Sequence, residues 1–86
     1  MTRIQTFIDA LTAIRKLAAD HTHSKPIASA IEQLEYLIAV EDGLEVDRSR
    51  LDTINIGLIA VREIEGLDED AAEKLHEAAF EARQMI

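Results

Sequence analysis

The sequence predicts an all-α fold, a compact bundle of about four helices in a single domain spanning residues 1–86. The chain has only one proline and three glycines, so long stretches run without a helix breaker. Along these stretches apolar residues recur three and four positions apart, which is the period of a helix with a buried face. No alternating run bounded by turn dipeptides indicates a strand. A chain of this size has room for one core, and predicted connections of about five residues or fewer favour antiparallel neighbours.

Helix one is predicted to run from about Arg3 to Asp20. Thr2 and Gln5 have the spacing of a capping box, in which the two side chains satisfy free backbone N–H groups of the first turn. The residues that share its apolar stripe are Ile4, Phe7, Ile8, Leu11, Ile14 and Ala18.

Helix two follows the connection at residues 21–25. Pro26 suits the first helical turn, because its ring fixes φ and its missing N–H would have no partner there. The helix is predicted to end near Asp42, with Gly43 as a left-handed stop. Its inward residues are predicted to be Ile27, Ile31, Leu34, Leu37 and Ile38.

Helix three is predicted to be capped by Asp47, to run to about Glu65 and to end at Gly66. Its main apolar stripe would consist of Leu51, Ile54, Leu58 and Val61. Several more apolar residues lie off this stripe, including Ile56, Ile59 and Ala60. A helix that is apolar on nearly all sides is expected at the centre of the molecule or of a dimer. Gly57 in its middle costs about 1 kcal/mol relative to alanine, unless a neighbouring backbone approaches closely.

Helix four is predicted to be capped by Asp68, and the acidic residues of its first turn face the positive end of the helix dipole. Its inward residues would be Ala71, Leu75, Ala78, Ala79 and Ala82.

Charge narrows the class of partner. Seventeen acidic residues against nine basic ones give a net charge of −8, whereas nucleic-acid binding requires a basic stripe. A positively charged protein is therefore the expected partner, with no role for nucleic acid. No apolar run approaches the roughly 20 residues of a membrane span, and no secretory signal pattern begins the chain. Together with the lack of cysteine, this favours a cytoplasmic protein without a membrane role.

The residues that could support catalysis do not form a known constellation, so the sequence predicts a protein that is not an enzyme and has no catalytic residues, cofactor or metal. Glu73-x-x-His76 has the spacing of a di-iron motif, but such sites need the motif on two helices together with further inward glutamates. His21-x-His23 lies in a polar connection and lacks a third ligand. Both features are therefore interpreted as solvated side chains.

Six residues are predicted to bind a partner. Tyr36 and Val40 fall on the side of helix two opposite its core stripe, with Glu32 and Gln33 beside them. An aromatic residue beside an apolar one on an outer face, surrounded by acidic groups, is typical of an interface anchor. On helix four, Phe80 is likewise displaced from the inward stripe and lies near Glu77. The alternative is that Tyr36 and Phe80 are tucked under a loop.

Three segments carry a resemblance to a known family. These are Gln33-Leu34 with Tyr36; Asp47-Arg48-Ser49 followed by Leu51; and Gly57 followed by Ile59-Ala60-Val61-Arg62-Glu63. With these residues, the stretch 30–64 resembles the type VI secretion immunity family that neutralises NAD(P)+ glycohydrolase effectors. Helix four fits more loosely, through Leu75, Ala78 and Phe80.

The resemblance implies a small all-helical cytosolic protein with no catalysis of its own. It would bind the toxin domain of a cognate effector and block the active site, so that the toxin cannot consume NAD+ and NADP+. An acidic surface would speed encounter with a basic toxin cleft. The alternative is an acidic helical homodimer acting as a structural or regulatory interaction module, in which Ile56 and Ile59 would be buried against the second copy.

Overall fold

The chain folds into three long helices and one short, irregular one, as seen in a computed structural model that describes all of residues 1–86. The helices are α1 (Arg3–Asp20), α2 (Lys25–Glu41), α3 (Ile56–Ile59, continued by a π-helical turn over Ala60–Ile64) and α4 (Glu69–Arg83). A single 3-10 turn, Leu51–Thr53, precedes α3. There is no strand, which confirms the predicted all-α bundle. None of the helices combines the length and the apolar character needed to cross a membrane.

The boundaries of α1 agree with the prediction, but its capping box is only half formed. The hydroxyl of Thr2 accepts a hydrogen bond from the backbone N–H of Gln5 at 3.2 Å. The amide of Gln5 donates to the carboxylate of Asp9 at 2.8 Å instead of returning to the cap.

The start and stop of α2 are set by local residues. Ser24 caps the helix by accepting from the backbone N–H of Ile27 at 3.3 Å, and Pro26 lies in the first turn as predicted. Gly43 follows the helix with φ of 80°, a left-handed conformation that glycine adopts without steric cost. The predicted glycine stop is therefore confirmed.

The predicted helix from Asp47 to Glu65 is wrong in its first half. Asp47 does not cap a helix; its carboxylate accepts from the backbone N–H of Ser49 at 2.9 Å and closes a local turn. The backbone is extended at Ile54, and α3 begins only at Ile56. The break lies where the backbone N–H of Asn55 donates to a side chain on α2 at 2.8 Å, which replaces a helical hydrogen bond.

This break changes which residues of α3 face the core. Leu58 and Val61, from the predicted stripe, are about half exposed, whereas Leu51 is buried and Ile54 is partly buried. The buried residues of α3 and its π-helical turn are Ile56, Ile59, Ala60 and Ile64. Because Ile56 and Ile59 are buried within the chain's own core, they do not need a second copy to cover them. The irregular start and the π-helical turn rotate these residues relative to their positions in a regular helix, so the predicted stripe does not face the core.

Close approach between α3 and α4 explains the glycine in α3. A Cβ at Gly57 would lie 3.2 Å from the Cβ of Ala79, so even a methyl group would crowd the contact. Asp68 caps α4 through a 3.1 Å hydrogen bond from the backbone N–H of Ala71. All the inward residues predicted for α4 are buried, and α1 packs against both α2 and α4.

Candidate functional site

The face of α2 predicted to be an interface is covered by the chain itself. Tyr36 is only 7% exposed, and its hydroxyl donates to the backbone carbonyl of Asp47 at 2.7 Å. The guanidinium carbon of Arg50 lies 4.7 Å from the centroid of the tyrosine ring. Val40 is also buried. The outward placement of Tyr36 and Val40 is therefore wrong, because residues 47–55 fold back over this side of α2 and the tyrosine is tucked under a loop.

Gln33 is buried in the same region, and its amide group is fully engaged within the chain. It donates to the hydroxyl of Ser29 at 3.0 Å and to the side-chain oxygen of Asn55 at 2.6 Å. Its own oxygen accepts from the backbone N–H of Asn55 at 2.8 Å. The predicted outward position of Gln33 is thus also wrong. Of the four residues predicted on α2, only Glu32 is exposed.

The two residues predicted on α4 are exposed and lie together. Phe80 is 54% exposed, so it is not tucked under a loop. It lines a surface groove of about 560 Å³, which we call the acidic groove. The groove is lined by Glu65, Glu69, Ala72, Glu73, His76, Glu77 and Phe80. All but the first belong to α4, where spacings of three and four residues place them on one side of the helix.

The electrostatics of the acidic groove favour a cationic partner. Four of its lining residues are glutamates, and none is lysine or arginine. A ring nitrogen of His76 lies 2.9 Å from the carboxylate of Glu65, which joins the end of α3 to α4. Phe80 supplies the one large apolar surface. An exposed aromatic residue beside several carboxylates can bury against a partner whose own charges are positive.

The geometry gives no metal centre. His76 pairs with Glu65, and no three histidine, aspartate or glutamate side chains converge as a metal ion would require. No serine side chain forms a hydrogen bond with a histidine side chain.

Two arginines, Arg3 and Arg48, join separate parts of the chain at one end of the bundle. The sequence did not predict these contacts. Arg3 on α1 bridges Glu81 of α4 at 3.1 Å and Glu41 of α2 at 3.5 Å. The hydrogen bond to Glu81 is the main reason that the pKa of Arg3 is raised. Arg48 donates to the backbone carbonyl of Met85 at 2.7 Å. These contacts join residues far apart in sequence, so no local pattern could have indicated them.

The fold and its exposed acidic groove define a small all-α binding protein. The family model of Tsi6 matches residues 2–84. The chain therefore belongs to the Tsi6 family, which confirms its resemblance to the type VI secretion immunity proteins, a class that binds and does not catalyse.

Solved structures agree with this assignment. The structure of Tsi6 from Pseudomonas aeruginosa matches with a TM-score of 0.88 and 29% sequence identity, over 95% of this chain and 85% of that chain. A chain in the structure of Tse6 in complex with Tsi6 matches with a TM-score of 0.91 and 28% identity, over 99% of this chain and 90% of that chain. No curated protein matches the sequence.

Proposed function

We propose that this protein is a single-domain, cytoplasmic immunity protein that binds the toxin domain of a cognate type VI secretion effector. It blocks the active site of that toxin, which is an NAD(P)+ glycohydrolase. The observation that carries the proposal is the family match over residues 2–84. It is supported by similarity to a chain from the structure of Tse6 in complex with Tsi6.

Inhibition would occur by occlusion, with charge guiding the encounter. A cleft that binds a dinucleotide must offer positive charge to its phosphates. An inhibitor with a net charge of −8 is attracted to the same cleft. The acidic groove presents carboxylates to the basic rim, and Phe80 provides an apolar anchor that slows release.

A rescue experiment tests the function. The toxin domain encoded beside the gene of this protein is expressed in a sensitive bacterium, with and without the protein, and intracellular NAD(P)+ is measured. A toxin carrying an inactivating substitution is the control. We expect both growth and NAD(P)+ to be restored. If growth is restored but the toxin alone does not lower NAD(P)+, the immunity function is retained and the assignment of the toxin as a glycohydrolase is rejected. A failure of both rescue and co-purification would reject immunity.

Charge reversal tests which surface binds. Glu77→Lys alters the acidic groove, and Glu32→Lys makes the same change in charge on α2. We expect Glu77→Lys to weaken toxin binding about tenfold or more, mainly by slowing association, and added salt to reduce the difference. If only Glu32→Lys weakens binding, the interface lies on α2 and the role of the groove is rejected. Circular dichroism of both variants controls for folding.

A second copy of the chain is the competing partner. Leu58 and Val61 are exposed neighbours on the α3 segment, and their spacing gives a short apolar strip that a dimer could cover. Light scattering of the purified protein measures its oligomeric state directly. A stable dimer that dissociates when Val61 is replaced by serine, together with no toxin binding, would favour a structural or regulatory homodimer.

A further inference from the structure

The loop that joins α2 to the 3-10 turn exposes two large apolar side chains. Leu44 is 80% exposed and Val46 is 88% exposed, so neither contributes appreciably to the core. Acidic residues alternate around them: Glu41, Asp42, Glu45 and Asp47, with no basic residue in the stretch 41–47. We call residues 42–47 the apolar-tipped loop.

The backbone of this loop is held by hydrogen bonds from the end of α2. The N–H groups of Leu44 and Glu45 donate to the carbonyl of Ala39 at 2.9 and 3.1 Å, and that of Gly43 donates to Val40 at 3.2 Å. The carboxylate of Glu45 then accepts from the backbone N–H of Asp47 at 3.1 Å. The conformation of the tip is thus fixed by its own chain.

Distant parts of the molecule also hold the far side of the loop. The hydroxyl of Tyr36 donates to the carbonyl of Asp47, and the next residue, Arg48, reaches the carbonyl of Met85 at the end of α4. Arg50 lies over the tyrosine ring. Both ends of the apolar-tipped loop are therefore tied to α2, and the residue that follows it, Arg48, is tied to the chain just after α4. The apolar side chains of the loop nevertheless remain exposed.

A fixed loop with exposed apolar residues is suited to binding, because the entropy of ordering it is lost on folding and not on association. We propose that Leu44 and Val46 insert into an apolar pocket in the active-site cleft of the cognate toxin domain, while the surrounding carboxylates face a basic rim. This inference rests on the proposed function. The choice of occupant follows from charge, since the loop itself contains three acidic residues, Asp42, Glu45 and Asp47, and no basic one.

The test replaces both tip residues in the full chain, as Leu44→Ser with Val46→Ser. Leu58→Ser with Val61→Ser is the matched control, since it replaces the same two residue types at half-exposed positions outside the acidic groove. Affinity for the toxin domain is measured by calorimetry, and thermal unfolding is followed by circular dichroism.

We expect the double variant to melt within a few degrees of the wild type, since exposed positions change stability little. Its affinity should fall about 100-fold, because burying each of these side chains is worth about tenfold or more in binding. The control with Leu58→Ser and Val61→Ser should bind the toxin domain normally.

Two results would overturn the inference while leaving the proposed function intact. One is wild-type affinity of the double variant for a toxin that the wild-type protein binds and neutralises. The other is a dimer of the wild type that becomes monomeric in the double variant without any loss of toxin binding, which would assign the loop to a second copy. If the wild-type protein does not bind the toxin domain at all, the proposed function fails, and the inference fails with it.

Discussion

Removal of the Tyr36 hydroxyl should reduce the stability of the fold by a measurable and predictable amount. Tyr36→Phe keeps the buried ring and its contact with Arg50 but loses the 2.7 Å hydrogen bond to the carbonyl of Asp47. A hydrogen bond of this kind contributes about 1 kcal/mol to the free energy of unfolding. For a domain of this size, that loss lowers the melting temperature by about 4–8 °C.

Tyr36→Ala tests the packing of the ring itself. Truncation of a buried aromatic side chain costs about 3–5 kcal/mol, which is a large part of the roughly 5–15 kcal/mol that stabilises a small domain. We expect this variant to be partly unfolded at physiological temperature. Any loss of toxin binding would then follow from the loss of structure.

Urea unfolding followed by far-ultraviolet circular dichroism measures both free energies. Tyr36 is the only tyrosine, and the chain has no tryptophan, so tyrosine fluorescence in the wild type reports on this site alone. The reasoning would be refuted if both variants unfolded within about 0.5 kcal/mol of the wild type, the range typical of surface substitutions, yet bound the toxin weakly. Tyr36 would then be an exposed interface anchor.

Three further predictions concern Gly57, Asp47 and Gln33, whose contacts within the chain determine the expected change in stability. Gly57→Ala gains about 1 kcal/mol of helix propensity, but the new methyl group would lie 3.2 Å from the Cβ of Ala79. Because overpacking costs about 1–3 kcal/mol, we expect urea unfolding to show a net loss of stability of up to about 2 kcal/mol. Ala79→Gly should relieve part of the crowding. The pKa of Asp47 is held below 3.8, first by its hydrogen bond from the backbone of Ser49. The stability that this lowered pKa contributes is present above the pKa of Asp47 in the unfolded state and is lost as the pH falls through its pKa in the folded state. Asp47→Asn should therefore remove that part of the acid sensitivity, as measured by unfolding at several pH values. Gln33→Ala should cost about 1–3 kcal/mol, because it removes two hydrogen bonds to Asn55 that are each worth about 0.5–1.5 kcal/mol. Glu32→Ala, at the exposed neighbouring position, should unfold like the wild type.

Three of the four helices could be predicted from the sequence because their signals are local. Thr2, Gly43 and Asp68 lie at the helix ends they define, and each acts on backbone groups within a few residues. The small apolar stripe of α4 likewise needed no knowledge of the rest of the fold. Such elements are determined by capping chemistry and periodicity.

The break before α3 could not be predicted in the same way. Apolar residues continue at helical spacing from Leu51 to Val61, and neither proline nor glycine marks residues 54 and 55. The interruption depends on Gln33, which is 22 positions away in sequence and forms two hydrogen bonds with Asn55. A long-range side-chain contact of this kind overrides local propensity and leaves no periodic signal.

Helical geometry assigns a residue to a side of its helix but does not say what covers that side. Tyr36 does lie away from the stripe that contains Leu34 and Leu37, yet residues 47–55 return over it, so α2 is buried on two sides. The same angular reasoning places Phe80 off the inward stripe of α4, and there no segment returns. The difference between the two predictions is therefore topological.

The residues that carry the family resemblance coincide with those that fix the segment before α3. Gln33 bonds Asn55, Tyr36 bonds the turn at Asp47, and Arg48 reaches the end of α4. Side chains with such roles hold the backbone of this segment in place. The apolar side chains proposed to meet a toxin, Phe80 in the acidic groove and Leu44 and Val46 in the apolar-tipped loop, are exposed and contribute little to the core. Substitution of these side chains is expected to change binding more than folding, since a fold does not by itself determine which partner its surface binds.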